Sequence, residues 1–316
     1  MSQVIQEIES VDAASIERPR GFIRRLLRER PQASIGLGMV ILLALVGIFA
    51  PLIAPYEPLA AGPLRAAPSA QHWLGTDDAG HDMLTLIMYG IRVSLLVGFA
   101  AAAVSMLIGG SAGIAAGYFG RKTDSSLMRV ADFFLVVPEL ILMVILAKLI
   151  GRGLHVIILV IGLLLWAQTA RVVRAQVKSV KERVYVKRAY SLGAGSQRIV
   201  FRHVLPQVTP LLVALGVLAI ALAIFDETFL SFLGLGDPAT ISLGKLIENA
   251  FEASASTRGE WWMIIPPGVA VTLLILGFTL FGQALEDALN PRLKVSYLSS
   301  RSWRVKRRSS EQGSGK

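Results

Sequence analysis

The chain has 316 residues, of which 53% are hydrophobic and only 17% charged, against about a quarter charged in a typical soluble chain. It contains no cysteine, which excludes a disulfide framework and any cysteine-based metal or redox site. The net charge of +10 is gathered in blocks between apolar runs, which argues for an integral membrane protein and against nucleic-acid binding, the basic stretch 301–308 included.

Six apolar segments follow in chain order and predict six transmembrane helices. Segment 35–54 is uncharged, and at about 1.5 Å per residue it spans the roughly 30 Å hydrocarbon core. Segment 93–118 is uncharged and longer. Segment 131–150 is apolar but holds Asp132, Glu139 and Lys148. Segment 154–170 is short, with Gln168 near its end, and 205–225 and 263–285 complete the set. No cleavable signal peptide is expected, because the first apolar run follows a long polar segment and is itself too long. The basic residues orient the set: only Arg65, Arg92, Lys148, Arg152, Lys245 and Arg258 fall outside alternate connections, so both termini are expected in the cytoplasm. The implied layout is a cytoplasmic segment 1–34, a membrane domain 35–290 and a basic tail 291–316.

Between the first two spans lies a Pro-, Ala- and Gly-rich external loop that closes with HWLGTDDAGHDM. Its His72, His81, Asp77, Asp78 and Asp82 are candidate metal ligands. The stronger reading is that the aspartates cap the second helix, where free N–H groups and the helix dipole favour them. In that helix Ala101, Ser105, Gly109, Gly113 and Gly117 recur every four residues. They form one stripe of small side chains suited to close helix–helix approach. The other external loop, 231–262, ends on Trp261 and Trp262, expected as interfacial anchors.

Segment 172–206 interrupts the apolar pattern. Val173, Val177, Val180 and Val184 fall at helical spacing, as do Tyr185, Ala189 and Leu192, and the rest is strongly basic. The spacing predicts an amphipathic helix that continues from the fourth span and stops near Gly193. Ser196 is placed to cap a second short helix, and Pro206 to bend the chain where the fifth span begins. The result is a compact cytoplasmic elbow through which a soluble partner can push on the bundle; an ordinary basic loop is the alternative.

The stretch SLGAGSQRIVFRHVLP at 191–206 closely resembles the EAA loop of ABC-importer permeases, with its glycine and its hydrophobic-x-Leu-Pro ending. Further stretches resemble the C-type chain of the dipeptide, oligopeptide and nickel permeases. They are LGTDDAGHDMLTLIMYGIRVSLLVG, AGYFGRKTDSSLMRVADFFLVVPELIL, ARVVRAQV, LSFLGLGDP and LEDALNPRL, in the family's order from about residue 35 to 294. The resemblance implies an all-α polytopic protein with the type I ABC importer permease fold. It implies one permease chain of two, served by an extracytoplasmic substrate-binding protein and two ATPase subunits. ATP and Mg would reside in those ATPases, with no cofactor in this chain, and the site would be a bacterial inner membrane. No G-x-x-x-x-G-K-[ST] phosphate loop occurs in the sequence.

Carried over residue by residue, the ATPase-coupling positions are Lys187, Arg188, Ala189, Gly193, Arg198, Arg202, His203 and Pro206. Lys187-Arg188-Ala189 departs from the family's E-A-A, which reverses a charge at the expected contact. Glu227 matches an acidic position before the family's LSFLGLG, whereas Asp226 is additional. Acids at membrane depth face protein or a water-filled path, so Asp226 and Glu227 are candidates for the path or for pairing within the bundle, with Arg92 as one partner. An ion-coupled secondary transporter using these acids is the rival reading. A non-transporting membrane scaffold is a third.

Overall fold

The computed structural model describes residues 22–289, with side chains from Leu26 onward. The expectations for the tail 291–316 and for the arginines before Leu26 lie outside it. The described residues are almost entirely helical; apart from the single bridge Thr76–Asp82 no strand pairing is present among them. Five helical stretches are long and apolar enough to cross a membrane: Pro31–Ile48, Met83–Phe119, Leu154–Lys181, Ser196–Phe232 and Trp261–Leu289. A pair of helices bent by 95° makes a sixth when the two are counted as one span.

The chain enters through α1 (Phe22–Glu29) and α2 (Pro31–Ile48). Of α2 only the small residues Ala33, Gly36 and Gly47 are buried, while Ile35, Ile41, Leu42, Leu45 and Ile48 face outward. The expected uncharged span 35–54 does not run straight. It breaks at Phe49 before α3 (Ala50–Ile53), because Pro51 has no N–H to donate and its ring opposes a continuing helix.

After the loop 54–82, α4 (Met83–Phe119) forms the central helix. Its start is fixed by Asp82, which accepts from the Thr85 N–H and the Thr85 hydroxyl, both at 2.9 Å, and from His72 Nδ1 at 2.9 Å. Asp77 instead closes its own turn, accepting from the N–H groups of Ala79 at 3.0 Å and His81 at 2.7 Å and from His81 Nδ1 at 2.9 Å. The cap is therefore Asp82 alone, and Asp78 is exposed. Trp262 turns inward and donates to the Thr76 carbonyl at 3.2 Å, pinning the loop 54–82 to the short turn Trp261–Met263 ahead of the last helix. Trp261 remains exposed.

The third segment differs most from expectation. A helix α5 (Arg121–Val136) begins earlier, in charged sequence, and α6 (Glu139–Ile150) follows the 95° bend. Pro138 is the cause: the residue before a proline is driven out of the helical region, and Val137 is extended at φ −75°, ψ 133°. The two halves belong to different cores. Met128 and Ala131 of α5 pack with Ala116, Trp166, Ala167 and Ala170, whereas Met143 and Ala147 of α6 pack with Val156, Ile157, Val160 and Leu230.

α7 (Leu154–Lys181) lies along α4. The stripe on α4 sits in this contact: a Cβ on Gly109 would stand 2.5 Å from the Trp166 carbonyl oxygen, and one on Gly113 2.7 Å from that of Ala170. Gly117 meets Val177, and Ala101 and Ser105 are fully buried on the same stripe. Following the elbow, α10 (Leu205–Phe232) packs on α4, on α7 and on the last long helix, Ile265–Leu289, with α11 (Leu243–Glu252) and α12 (Ala255–Arg258) closing the end of the bundle opposite the elbow. That last helix, α13, returns to α2 and α1. Leu26 is buried with Ala33, Ala284 and Leu285, and Arg30 pairs with Asp287 at 2.7 Å.

Candidate functional site

The elbow starts where α7 ends. Glu182 closes that helix, Arg183 is extended, and the chain restarts as α8 (Val184–Ser191) and α9 (Ser196–Ile199), followed by a π-helical turn Val200–Val204 that runs into α10. The break at Glu182–Arg183 resets the helical phase. Val173, Val177 and Val180 are buried as the spacing predicts, but Val184 is 61% exposed and Val186 takes the inward position. Leu192, expected on the same inner face as Tyr185, is 88% exposed. The elbow core is Val186, Ile199, Val204 and Val208 packed on Val173, Val177, Val180 and Tyr118. This unit therefore rests on both central helices.

Gly193 closes α8. Its φ of +84° lies in the left-handed region, the Ala194 N–H donates to the Ala189 carbonyl at 3.1 Å, and the Gly193 N–H to that of Tyr190 at 3.0 Å. These are the two bonds of a Schellman cap, for which glycine is the favoured residue. Ser196 does not cap α9. Gly195 occupies the cap position without a side-chain bond, and Ser196 is already helical and exposed. Nor does Pro206 start a separate helix: 196–232 is one continuous stretch. The π turn ahead of the proline widens the backbone where its ring would otherwise meet the preceding carbonyls.

Lys187, Arg188, Arg198, Arg202 and Pro206 are exposed, while Ala189 and His203 are half-buried. The ring of His203 lies 6.2 Å from that of Tyr185. An open hollow lined by Val184, Lys187, Arg188, Ser191 and Leu192 marks this surface, and Tyr190 and Phe201 stand exposed beside it. Lys187 pairs with Glu182 at 2.7 Å, and that hydrogen bond holds the fully exposed Glu182 carboxyl below the usual carboxylate range. The residue that breaks the E-A-A pattern thus meets an acid of its own chain. Sequence reasoning missed Tyr190 and Phe201; large rings between charges on short helices were the available signal.

Asp226 and Glu227 are both buried, but neither pairs with Arg92. Glu227 accepts from the hydroxyls of Ser94 at 2.9 Å and Ser231 at 2.8 Å, tying α10 to α4. Asp226 is 5% exposed, and its Oδ2 has no hydrogen-bond partner among the described residues. Arg92 is exposed and lines a separate cleft with Tyr89, Leu96, Leu154 and Thr240. The ion-coupled alternative gains no support from Glu227, whose two carboxylate oxygens are each held by a hydroxyl inside the bundle.

An apolar helical bundle of this kind, with a basic elbow packed on it, is that of a multi-pass membrane protein. Residues 109–295 match the family described as binding-protein-dependent transport system inner membrane component. Residues 20–71 match the N-terminal transmembrane domain of oligopeptide transport permease C. The chain is 36% identical to the oligopeptide transport system permease protein OppC of Bacillus subtilis, over 84% of this chain and 88% of that one. It is 34% identical to the dipeptide transport system permease protein DppC of the same organism, over 92% and 90%. A putative peptide transport system permease protein of Brucella suis is 36% identical over 86% and 91%. The chain belongs to the family of inner-membrane components of binding-protein-dependent transport systems.

Proposed function

We propose that the chain is the membrane-spanning permease subunit of an ATP-driven peptide importer, with both termini and the elbow on the cytoplasmic side of a bacterial inner membrane. The observation that carries this reading is the elbow: a small rigid unit closed by Gly193, packed on both central helices, and exposing Leu192 and Phe201 beside Lys187, Arg188, Arg198 and Arg202. A soluble partner that grips such a surface moves α7 and α10 together, because the elbow core joins them.

In this reading two ATPase subunits bind the elbows of this chain and of a second permease chain, and hold the ATP and Mg. A substrate-binding protein delivers peptide to the opposite face. The small-residue stripe keeps α4 and α7 together as a rigid pair, and the path opens elsewhere. Segment 172–206 is the coupling element of the membrane domain 35–290, and Asp226 and Glu227 serve bundle packing rather than ion transport.

The test is to express the chain with its native gene neighbourhood, solubilise it gently and identify what co-purifies. A second permease and ATPase subunits are expected in stoichiometric amount. In the double variant Leu192→Asp, Arg202→Glu the ATPases are expected to be lost while the second permease remains. Recovery of the chain alone, or only with itself, overturns the reading.

A further inference from the structure

The cytoplasmic stretch of α7 has two working faces. Val173, Val177 and Val180 carry the elbow. Arg174 and Lys178, one turn apart on another face, both reach Asp124 of α5. The Arg174 Nε and Nη2 donate to the two carboxylate oxygens, the second at 2.8 Å, and the Lys178 ammonium donates at 2.7 Å. Asp124 is 13% exposed whereas Arg174 and Lys178 are 31% and 45% exposed, so the acid is shielded while the cations reach solvent, and the two-point contact with Arg174 fixes the geometry. Ion pairs of that kind hold geometry better than solvent-exposed ones. A second tie, Asp132 with Arg171 at 2.5 Å, is more than half exposed at both ends. Lys181 adds a bond to the Tyr118 carbonyl at 2.6 Å, fixing the end of α4 to the same stretch.

Two discontinuities bound α5. At its start Gly120 and Arg121 both have positive φ, 66° and 46°, so the link to α4 is a tight non-helical corner. At its end lies the 95° bend at Val137–Pro138. Beyond that bend, α6 packs in a different core, against the outer half of α7 and α10. Thus α5 is a short helix bounded by a break at each end and joined to α7 both by this charge cluster and by the packing of Met128 and Ala131 on Trp166, Ala167 and Ala170.

We propose that Asp124 is a positioning residue for transport, which couples α5 to the elbow through Arg174 and Lys178 so that displacement of the elbow swings α5 about Val137–Pro138. This rests on the importer reading above. It assigns to the broken third span the role of a joint between the ATPase-driven end and the outer bundle.

The native chain lacks cysteine, so spin labels can be placed without background. In the assembled complex, one pair is set at Ser126→Cys on α5 and Ser256→Cys on the external side, and a second pair at Ser196→Cys on the elbow and Ser256→Cys. All these positions are exposed. Distances are read by pulsed electron resonance with and without ATP, and peptide uptake per ATP hydrolysed is measured in proteoliposomes. With Asp124 intact both distances are expected to shift. In Asp124→Asn the elbow shift is expected to persist while the α5 shift is lost, and uptake per ATP to fall about fivefold or more, within the usual range of site-to-site coupling. Asp124→Glu is expected to restore both. An α5 shift that survives Asp124→Asn, or an elbow shift lost along with it, overturns the proposal and leaves the importer reading standing. No ATP-dependent shift in either pair of the unsubstituted complex overturns both.

Discussion

At the scale of single residues, the left-handed backbone at Gly193 sets a sharp requirement. A β-branched residue there costs on the order of 1–2 kcal/mol, because its Cβ approaches the following carbonyl, whereas asparagine visits this region more readily. Gly193→Val is therefore expected to open the Schellman cap and abolish ATP-driven uptake while the chain still inserts, and Gly193→Asn to retain most of it. Uptake in vesicles, normalised to membrane-inserted chain, decides the matter. Glu227 poses the opposite problem, a buried group whose value lies in its acceptors. Glu227→Gln still accepts from Ser94 or Ser231 and is expected to remain near native stability. Glu227→Ala leaves buried hydroxyls unpaired and a void, at about 2–4 kcal/mol. Thermal unfolding in detergent, followed by tryptophan fluorescence, separates the two. If Glu227→Gln instead unfolds as readily as Glu227→Ala, the hydroxyl bonds are not what matters.

At the scale of helices, the α4–α7 contact is decided by the absence of side chains. A Cβ at Gly113 meets a carbonyl oxygen and Val173 at 2.7 Å, both in rigid helix, so neither can withdraw cheaply. Gly113→Leu is expected to lower the melting temperature of the solubilised chain by several degrees, following about 1–3 kcal/mol of overpacking. Gly268→Leu, on a glycine with open space around it, is expected to leave it unchanged. This contact was legible in the sequence, because a four-residue repeat of small side chains has one geometric meaning in a membrane. The broken third span was less so. Pro138 was visible, but charge at Asp132 and Glu139 concealed that the helix starts at Arg121, and hydropathy does not register a helix with five charged residues in sixteen. The phase reset at Glu182 was equally hidden: the valine period continues through Val184, and only the extended backbone at Arg183 shows that the last valine faces out.

At the scale of the whole molecule, the sequence carried the class and the family, because long uncharged runs and block-wise charge are imposed by lipid regardless of packing detail. It did not carry which charged groups meet. Arg92 and the acids of α10 were plausible partners by depth alone, yet they lie on different faces, and only the rotation of each helix decides that. The exposed cations of the elbow make a further prediction. Attraction between this surface and an acidic partner is screened by salt, with a Debye length of about 10 Å at 0.1 M and about 3 Å at 1 M. Affinity of the ATPase subunits for the reconstituted membrane subunits is expected to fall about tenfold between low and high salt, mainly through slower association. Titration at several salt concentrations measures it. Affinity independent of salt would assign the grip to Leu192, Tyr190 and Phe201 instead.

The packing of α2 on α13 bears on how such a chain is made. The first of these spans packs both on α4, the next to be synthesised, and on α13, the last, where the pair Arg30–Asp287 joins positions 257 residues apart. Until α13 arrives, α2 can make only its contact with α4, where Gly47 meets Ile91 and Arg92, and its other face stays in lipid. A helix in that position can carry no ionised group in its apolar stretch and needs no large inward side chains, only small ones against which α13 later settles. The uncharged, thinly buried character of α2 thus suits a helix that must keep one face open, and closing that face through α13 and Arg30–Asp287 becomes a late step of assembly.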